Sequence, residues 1–410
     1  MKEINEFFWI IGGGQLQIPL INEVKKLGYK IIATDRDLEC ICKDLVDIFY
    51  PIDIFDVENH LKAANNLIKN QKKIVGVLAA GIDAPITMAV LAKHLGVPGV
   101  DPEIAKIVHN KNDFRIKLKK LGHPTPKNFV VNEKNMDKVN SIIKNIGFPL
   151  IVKNSDSSGS RGTRIFYKSD INKIKKQIYL AIKVSRSGNA LIEECWEGSE
   201  HTVETIFDKN GEFHPCFITD RIFDKENGYP VEIELFHPTK LSIETQKEMY
   251  DIAKKVAIDL GITIGAAKYD MILTDKGSRI IEMTVRLSGG FDCQYLVPAA
   301  TGKNVLKAAI LTALGKQFSK DLLLDKKSKV AISSSLWPKL GKIKKIEGID
   351  NIRKVLGYEQ FFLRYSVGDV IEPYIDSTKR FCFIIVSGNT ELEAREAMNR
   401  IKTFIRVLIQ

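Results

Sequence analysis

The segment AAKYDMILTDKGSRIIEMTVRLSGG carries acids and bases at period-two spacing and reads as two strands joined through Asp275-Lys276-Gly277. Alternation places Lys268 with Asp270 on one strand face, and Glu282 with Thr284 and Arg286 on a face of the return strand. Because the hairpin turns back, Asp270 is expected beside Glu282. Mg²⁺ takes one or two carboxylates together with substrate phosphates. The hairpin is therefore a candidate metal site flanked by cations, although a surface ladder of ion pairs would use the same residues.

A second segment, PLIVKNSDSSGSRGTRIF, delivers Lys153 from a strand into a loop containing Ser155, Ser157, Ser158, Gly159, Ser160, Arg161 and Gly162. Small residues let backbone N–H groups approach an anion, and lysine and arginine add charge. This is the pattern of a phosphate-binding flap. It is not a Walker loop, since no G-K-[ST] tripeptide and no helix follow it directly. A third segment, ALIEECWEGSEHTVETI, ends an apolar strand on Glu193-Glu194-Cys195-Trp196 and resumes at Glu200 after Gly198. Carboxylates there can accept hydrogen bonds from an amino group or ribose hydroxyls.

The elements that must position these residues fall into three rhythms. Short apolar runs (FFWII, YKIIAT, DIFYPI, IVGVLAAG) alternate with helical stretches over residues 15–27, near His60 and up to Leu95. Such alternation predicts a Rossmann-like α/β domain with a parallel sheet, residues 1–110. An α+β domain with antiparallel sheet is predicted over residues 111–322. Its strands are expected over 128–131, 150–153, 163–167 and 190–194, with helices over 135–146 and 170–185. Stretches 201–207 and 213–219 meet at Asn210-Gly211, a hairpin signal, and a helix over 242–260 precedes the acidic hairpin. Residues 323–410 read as a small C-terminal α+β domain closing with an amphipathic helix over 391–408.

With 410 residues, 44% of them apolar, the chain can bury more than one core. Its charged beginning and very short first apolar run do not make a secretory signal, and no apolar run reaches spanning length. A cytoplasmic protein without membrane contact is expected. Six cysteines form no C-x-x-C pair, which predicts reduced thiols. The net charge of +11 comes from lysines dispersed beside acids, so nucleic acid is not the expected partner.

The three segments, in this order, resemble the ATP-grasp superfamily of carboxylate-amine ligases, over residues 1 to 320. Lys111, in HNKNDFRIKLKKLGHPTP, is similar to the family's first ATP-contacting lysine, and Lys153 to its second. Similarity to biotin carboxylase, carbamoyl phosphate synthetase and D-alanine:D-alanine ligase implies an adenine hinge at residues 193–196, with Glu200 on the ribose. It also implies Mg²⁺, or Mn²⁺ in its place, on Asp270 and Glu282, Lys268 near the transferred phosphoryl group, and Arg286 on the carboxylate. Thr284 stands where the family usually has an asparagine ligand. The layout beyond Lys329 resembles amino-acid ligases, and no biotin-acceptor Ala-Met-Lys-Met occurs.

The resemblance implies an enzyme that uses ATP to convert a carboxylate, an amino acid first of all, to an acyl phosphate and couples it to an amine. Carboxyphosphate chemistry on bicarbonate is the alternative. Small-molecule carboxylates and amines are the implied partners, with a homodimer implied only by its frequency among relatives. Glu234, within RIFDKENGYPVEIELFHP, is the one general base suggested, in a stretch that could line the acceptor pocket. Two rival readings have their own residues. GGGQLQ with Asp35 resembles part of a dinucleotide site, but Gln17 occupies the third glycine position. Thr284 motivates a protein that holds nucleotide without chemistry.

Overall fold

The computed structural model describes residues 6–410; residues 1–5, which carry the charged beginning of the chain, lie outside them. The first sheet is parallel, in the spatial order Ile48–Tyr50, Lys30–Thr34, Glu6–Ile11, Lys73–Leu78. Phe7 to Ile11 are all buried, as expected of a strand covered on both faces. Their core is shared with Val305, Leu306 and Ile310 of the later helix Val305–Ala313, so the chain returns to close the first domain.

The antiparallel lobe orders its strands Asn128–Val131, Ala190–Glu194, Leu150–Asn154, Arg164–Phe166. Helices Val139–Ile146 and Ile171–Val184 cover it through Ile142, Ile143, Ile174 and Ile178. The expected helix over 135–146 becomes regular only at Val139, because Asn132 and Asn135 cap a preceding 3-10 turn, Glu133–Lys138.

An eight-stranded sheet forms the centre. Its order is Gly277–Thr284, Gly265–Thr274, Ser199–Phe207, Phe213–Asp224, Val231–His237, Val330–Ser334, Cys382–Gly388, Tyr358–Leu363. The last three strands come from the C-terminal segment, which thus continues the central sheet as well as making a three-stranded sheet of its own. One expectation fails there. The terminal helix is Glu391–Phe404, and the chain ends as a strand, Arg406–Ile409, paired with Gly341–Glu347. Ile405 leaves helical geometry (φ −83°, ψ 120°). From there Ile405, Val407 and Ile409 recur at period two, which buries an apolar edge in a strand but would scatter it around a helix.

All six cysteines are free thiols, four of them buried. Among the described residues no helix is long and apolar enough to cross a membrane.

Candidate active site

A cavity of about 380 Å³ lies where the first domain, the antiparallel lobe, the central sheet and the C-terminal segment meet. Of the residues singled out from the sequence, Lys111, Lys153, Ser158, Gly159, Ser160, Glu193, Glu194, Cys195, Trp196, Glu200, Lys268, Asp270, Glu282, Thr284 and Arg286 line it, whereas Ser155, Arg161, Gly162 and Glu234 do not. Its volume is that of a small-ligand pocket.

The acidic hairpin pairs in the expected register, with Asp270 opposite Glu282 and Lys268 opposite Thr284. A bulge follows Asp270, a device that re-aims side chains beside sites. Asp270 accepts hydrogen bonds from both Lys268 and Arg221, each on Oδ1. Burial alone would raise its carboxyl, but Arg221 and Lys268 outweigh burial and hold it below the usual range. Glu282 is a third exposed at its side chain, and its one ion-pair contact among the described residues is Lys111 at 3.8 Å.

Arg221 was not singled out from the sequence, although it sits in the stretch read as a candidate acceptor wall. Its Nε donates to Glu232 at 2.8 Å, and Arg380 donates to the same carboxylate at 3.0 Å. A relay of alternating charge therefore ties the acidic hairpin to the C-terminal segment. Glu234 sits in another setting. Arg395 holds its carboxylate at 3.2 and 3.3 Å, and it is not among the residues lining the cavity.

The flap folds on Asn154, whose Oδ1 accepts from Asp156 and Ser157 N–H and whose Nδ2 donates to Arg161 O at 2.6 Å. Gly159, Ser160 and Gly162 all take left-handed backbone conformations. Gly162 has a second reason to be glycine, since a Cβ would come within 2.8 Å of Val184 and 3.1 Å of Ala181. Asp83, from the first domain, accepts from Ser158 N–H at 3.2 Å, Ser158 Oγ at 2.7 Å and Arg161 at 3.0 Å. It lies 3.9 Å from Arg286. Burial pushes the Asp83 carboxyl up, but Arg286, Ser158 and Arg161 outweigh it and hold it below its ordinary value. On the other side Ser377 N–H donates to Gly159 O at 3.1 Å. The flap is thus closed on both the first domain and the C-terminal segment. The amides of Gly159 and Ser160 have no protein acceptor among the described residues, leaving donors for an anion.

Lys111 opens helix Lys111–Lys120, capped by Asn110, and its Nζ donates to Ser157 O at 2.7 Å. Lys153 reaches Glu193 at 2.6 Å, and Arg115 reaches the same carboxylate at 3.0 Å. Burial would raise Glu193, yet Arg115 and Lys153 bring it down to about 2. Its carboxylate is therefore an anchor for two cations. The Cys195 thiol is pushed up to about 11 by burial, so it stays a neutral group. Trp196 lies under the Arg279 guanidinium at 5.1 Å, and Glu200 pairs with Lys225 at 2.7 Å.

In the glycine turn, Gly13 N–H donates to Asp35 at 2.8 Å and buried Gln17 donates to Ala80 O at 2.6 Å. Asp35 is thus engaged with the turn itself, and Gln17 ties the turn to the cavity edge beside Gly81.

Residues 110–321 match the family model described as carbamoyl-phosphate synthase L chain, ATP binding domain, and residues 336–410 match the L-amino acid ligase C-terminal domain 2. A formate-dependent phosphoribosylglycinamide formyltransferase of Prochlorococcus marinus is 28% identical over 260 residues, 62% of this chain and 62% of that protein. Carnosine synthase 1 of Homo sapiens is 23% identical over 330 residues, 75% of this chain and 39% of that one. The match thus spans less than two thirds of either relative. The solved structure of an L-amino acid ligase from Bacillus licheniformis superposes over 100% of both chains with a TM-score of 0.82 at 19% identity. With over half its length matched by the ATP-binding model, and with the ordered segments converging on one cavity, the chain belongs to the ATP-grasp family of carboxylate-amine ligases.

Proposed function

We propose that this protein uses ATP to phosphorylate the carboxylate of an amino acid and couples the resulting acyl phosphate to an amine, releasing ADP and phosphate. The observation that carries the reading is the convergence of Lys111, Lys153, the flap amides, Lys268, Arg286 and the Asp270–Glu282 pair on one cavity. Phosphoryl transfer needs positioning and charge neutralisation more than covalent help from the protein. Lys111 and Lys153 bind the phosphates under the flap, and the Gly159 and Ser160 amides donate to phosphate oxygens. Phe114, Ile151, Ile165 and Met283 supply an apolar wall for the adenine. The backbone of residues 194–196 reads its edge, and Glu200 takes the ribose.

The donor set fits a magnesium ion. Both hydrogen bonds to Asp270 end on Oδ1, leaving Oδ2, while Glu282 presents a carboxylate held only by a distant lysine. Such an ion, or Mn²⁺ in its place, would be held by these two acids with Thr284 or a water, and would neutralise phosphate charge when bound. Lys268 and Arg286 meet the carboxylate as it attacks the γ-phosphate, and afterwards the oxyanion formed when the amine adds. The closed flap keeps water from the acyl phosphate.

The amino-acid preference is supported by the C-terminal match to the L-amino acid ligase domain and by the carnosine synthase relative. Carboxyphosphate formation from bicarbonate is the second reading, favoured by the description of the ATP-binding model. The test is ADP and phosphate release with pooled amino acids, other small carboxylates or bicarbonate, with and without hydroxylamine. Substrate-dependent ADP with a hydroxamate from an amino-acid pool is the expected result. ATP binding without turnover on any pool would overturn it and favour a nucleotide-binding protein without chemistry.

A further inference from the structure

Past Arg286 the chain turns sharply through Gly289 and Gly290, and Phe291 follows in the left-handed region at φ 66°. A side chain other than glycine is strained there, and such strain persists only where the surroundings fix it. Phe362 stacks on Phe291 at 4.1 Å and Phe383 meets it edge-on at 5.0 Å. What this locked turn positions is Asp292, at the first residue of a short π-helical turn, Asp292–Leu296. Asp292 lines the cavity, is 2% exposed, and its Oδ1 has no hydrogen-bond partner.

An unpaired buried carboxylate is costly, and this one has no ion pair within the protein among the described residues. The nearest cations are committed elsewhere, since Lys268 and Arg221 both donate to Asp270. Other buried polar atoms are also unpartnered: Oε1 of Glu204 and both amide atoms of Gln294, two residues further along the turn. The Nε of Arg286 is unpartnered as well. At Asp292 the cavity wall therefore offers an acceptor without a donor, six residues along the chain from an arginine suited to a carboxylate.

We propose that Asp292 anchors a primary ammonium on the carboxylate substrate, so that the pocket selects an amino acid over the same acid without its amine. An ammonium brings three donors and a positive charge to oxygens that lack both. This rests on the ligase reading above and names the determinant of its acyl substrate. Burial, together with the nearby acids Glu232 and Glu204, pushes the Asp292 carboxyl well up. A bound cation reverses that penalty, so the group is ionised with substrate in place.

The test compares hydroxamate formation from matched pairs, each an amino acid and its des-amino analogue, in the wild-type protein and in Asp292→Asn. The wild-type protein should favour the amino acid by about a hundredfold or more in kcat/KM, as sites built around a polar partner do. Asp292→Asn should reduce that preference at least about tenfold through KM for the amino acid, with KM for ATP unchanged. Equal wild-type use of both members of each pair would overturn the proposal whatever the variant does, while leaving carboxylate activation standing. A preference unmoved in a variant that still binds ATP would overturn it too, and would mean a buried neutral carboxyl. Absence of activation by any carboxylate would bring down the ligase reading, and this inference with it.

Discussion

The carboxylate of Glu193 lies 2.6 Å from the ammonium of Lys153 at the inner end of the cavity, with the Arg115 guanidinium 3.0 Å away on its other side. Glu193 is 1% exposed, so the triad is sealed from solvent and fixes a lysine proposed to meet phosphate. Removing Arg115 strips buried Glu193 of one charged donor, and a hydrogen bond to a charged group is worth about 1.5–3 kcal/mol. Arg115→Ala should therefore lower the denaturant midpoint and also raise KM for ATP. A midpoint close to wild type would mean that the triad relaxes into solvent.

Glu204 gives a pH dependence of definite sign. Burial raises its carboxyl to about 7 against the hydrogen bonds from Ser288. The folded state thus holds a proton that the unfolded chain releases from about 4.5 upward, and folding stability falls as pH rises between these two values. Glu204→Gln escapes that loss. Its Tm should match wild type near the lower value, gain on it up to about 7, and keep a constant lead above. Parallel Tm curves would show that the native acid titrates normally.

For the metal, Glu282→Ala should abolish MgATP turnover while leaving the melting curve of the protein in place. Loss of one group that supports charge neutralisation in the transition state is expected to cost about a hundred- to a thousandfold. Unchanged turnover would remove Glu282 from the metal site. Thr284→Asn adds a carbonyl oxygen of the kind divalent cations accept. It should lower the Mg²⁺ concentration giving half-maximal rate, and a rise instead would show that the amide crowds the shell.

Asp83 makes three contacts to Ser158 and Arg161 and so latches the flap to the first domain. Asp83→Ala should speed hydrogen exchange at residues 157–162 by about tenfold, the effect of removing roughly 1.4 kcal/mol from local closure. Exchange in helix Val57–Lys69, which carries none of the latch contacts, should not change. Equal protection of the flap in the variant would mean that the Ser377 to Gly159 bond suffices.

Much of the site was legible because its signals are local. Period-two spacing put Lys268 with Asp270 and Glu282 with Thr284 and Arg286, and a turn of two residues, Asp275 and Lys276, fixed the register that sets Asp270 against Glu282. The Ser-Gly loop after Lys153 could be read as an anion cradle because small residues and positive backbone torsions leave a trace in composition. Asp83, Arg115, Arg221, Arg380 and Asp292 left no such trace. Each acquires its place from residues remote in sequence: Asp83 acts on a loop 75 residues on, Arg380 on an acid 148 residues back, and Asp292 follows a turn held by Phe362 and Phe383. A lone charged residue beside a turn looks the same in sequence whether it faces solvent or a cavity.

The same distinction separates the fold's parts. Hydrophobic periodicity and turn residues determined which segments become strands and helices, since these depend on neighbours within a few positions. Whether residues 406–409 extend a helix or pair as a strand was decided by the exposed edge of Gly341–Glu347, and Tyr358–Leu363 joined the central sheet for a like reason. The sequence by itself determined the chemical inventory of the cavity, its lysines, its paired acids and its flap. Only the tertiary structure decided how the charges are shared among them, because burial and distance set which acid is neutralised and which is left without a partner.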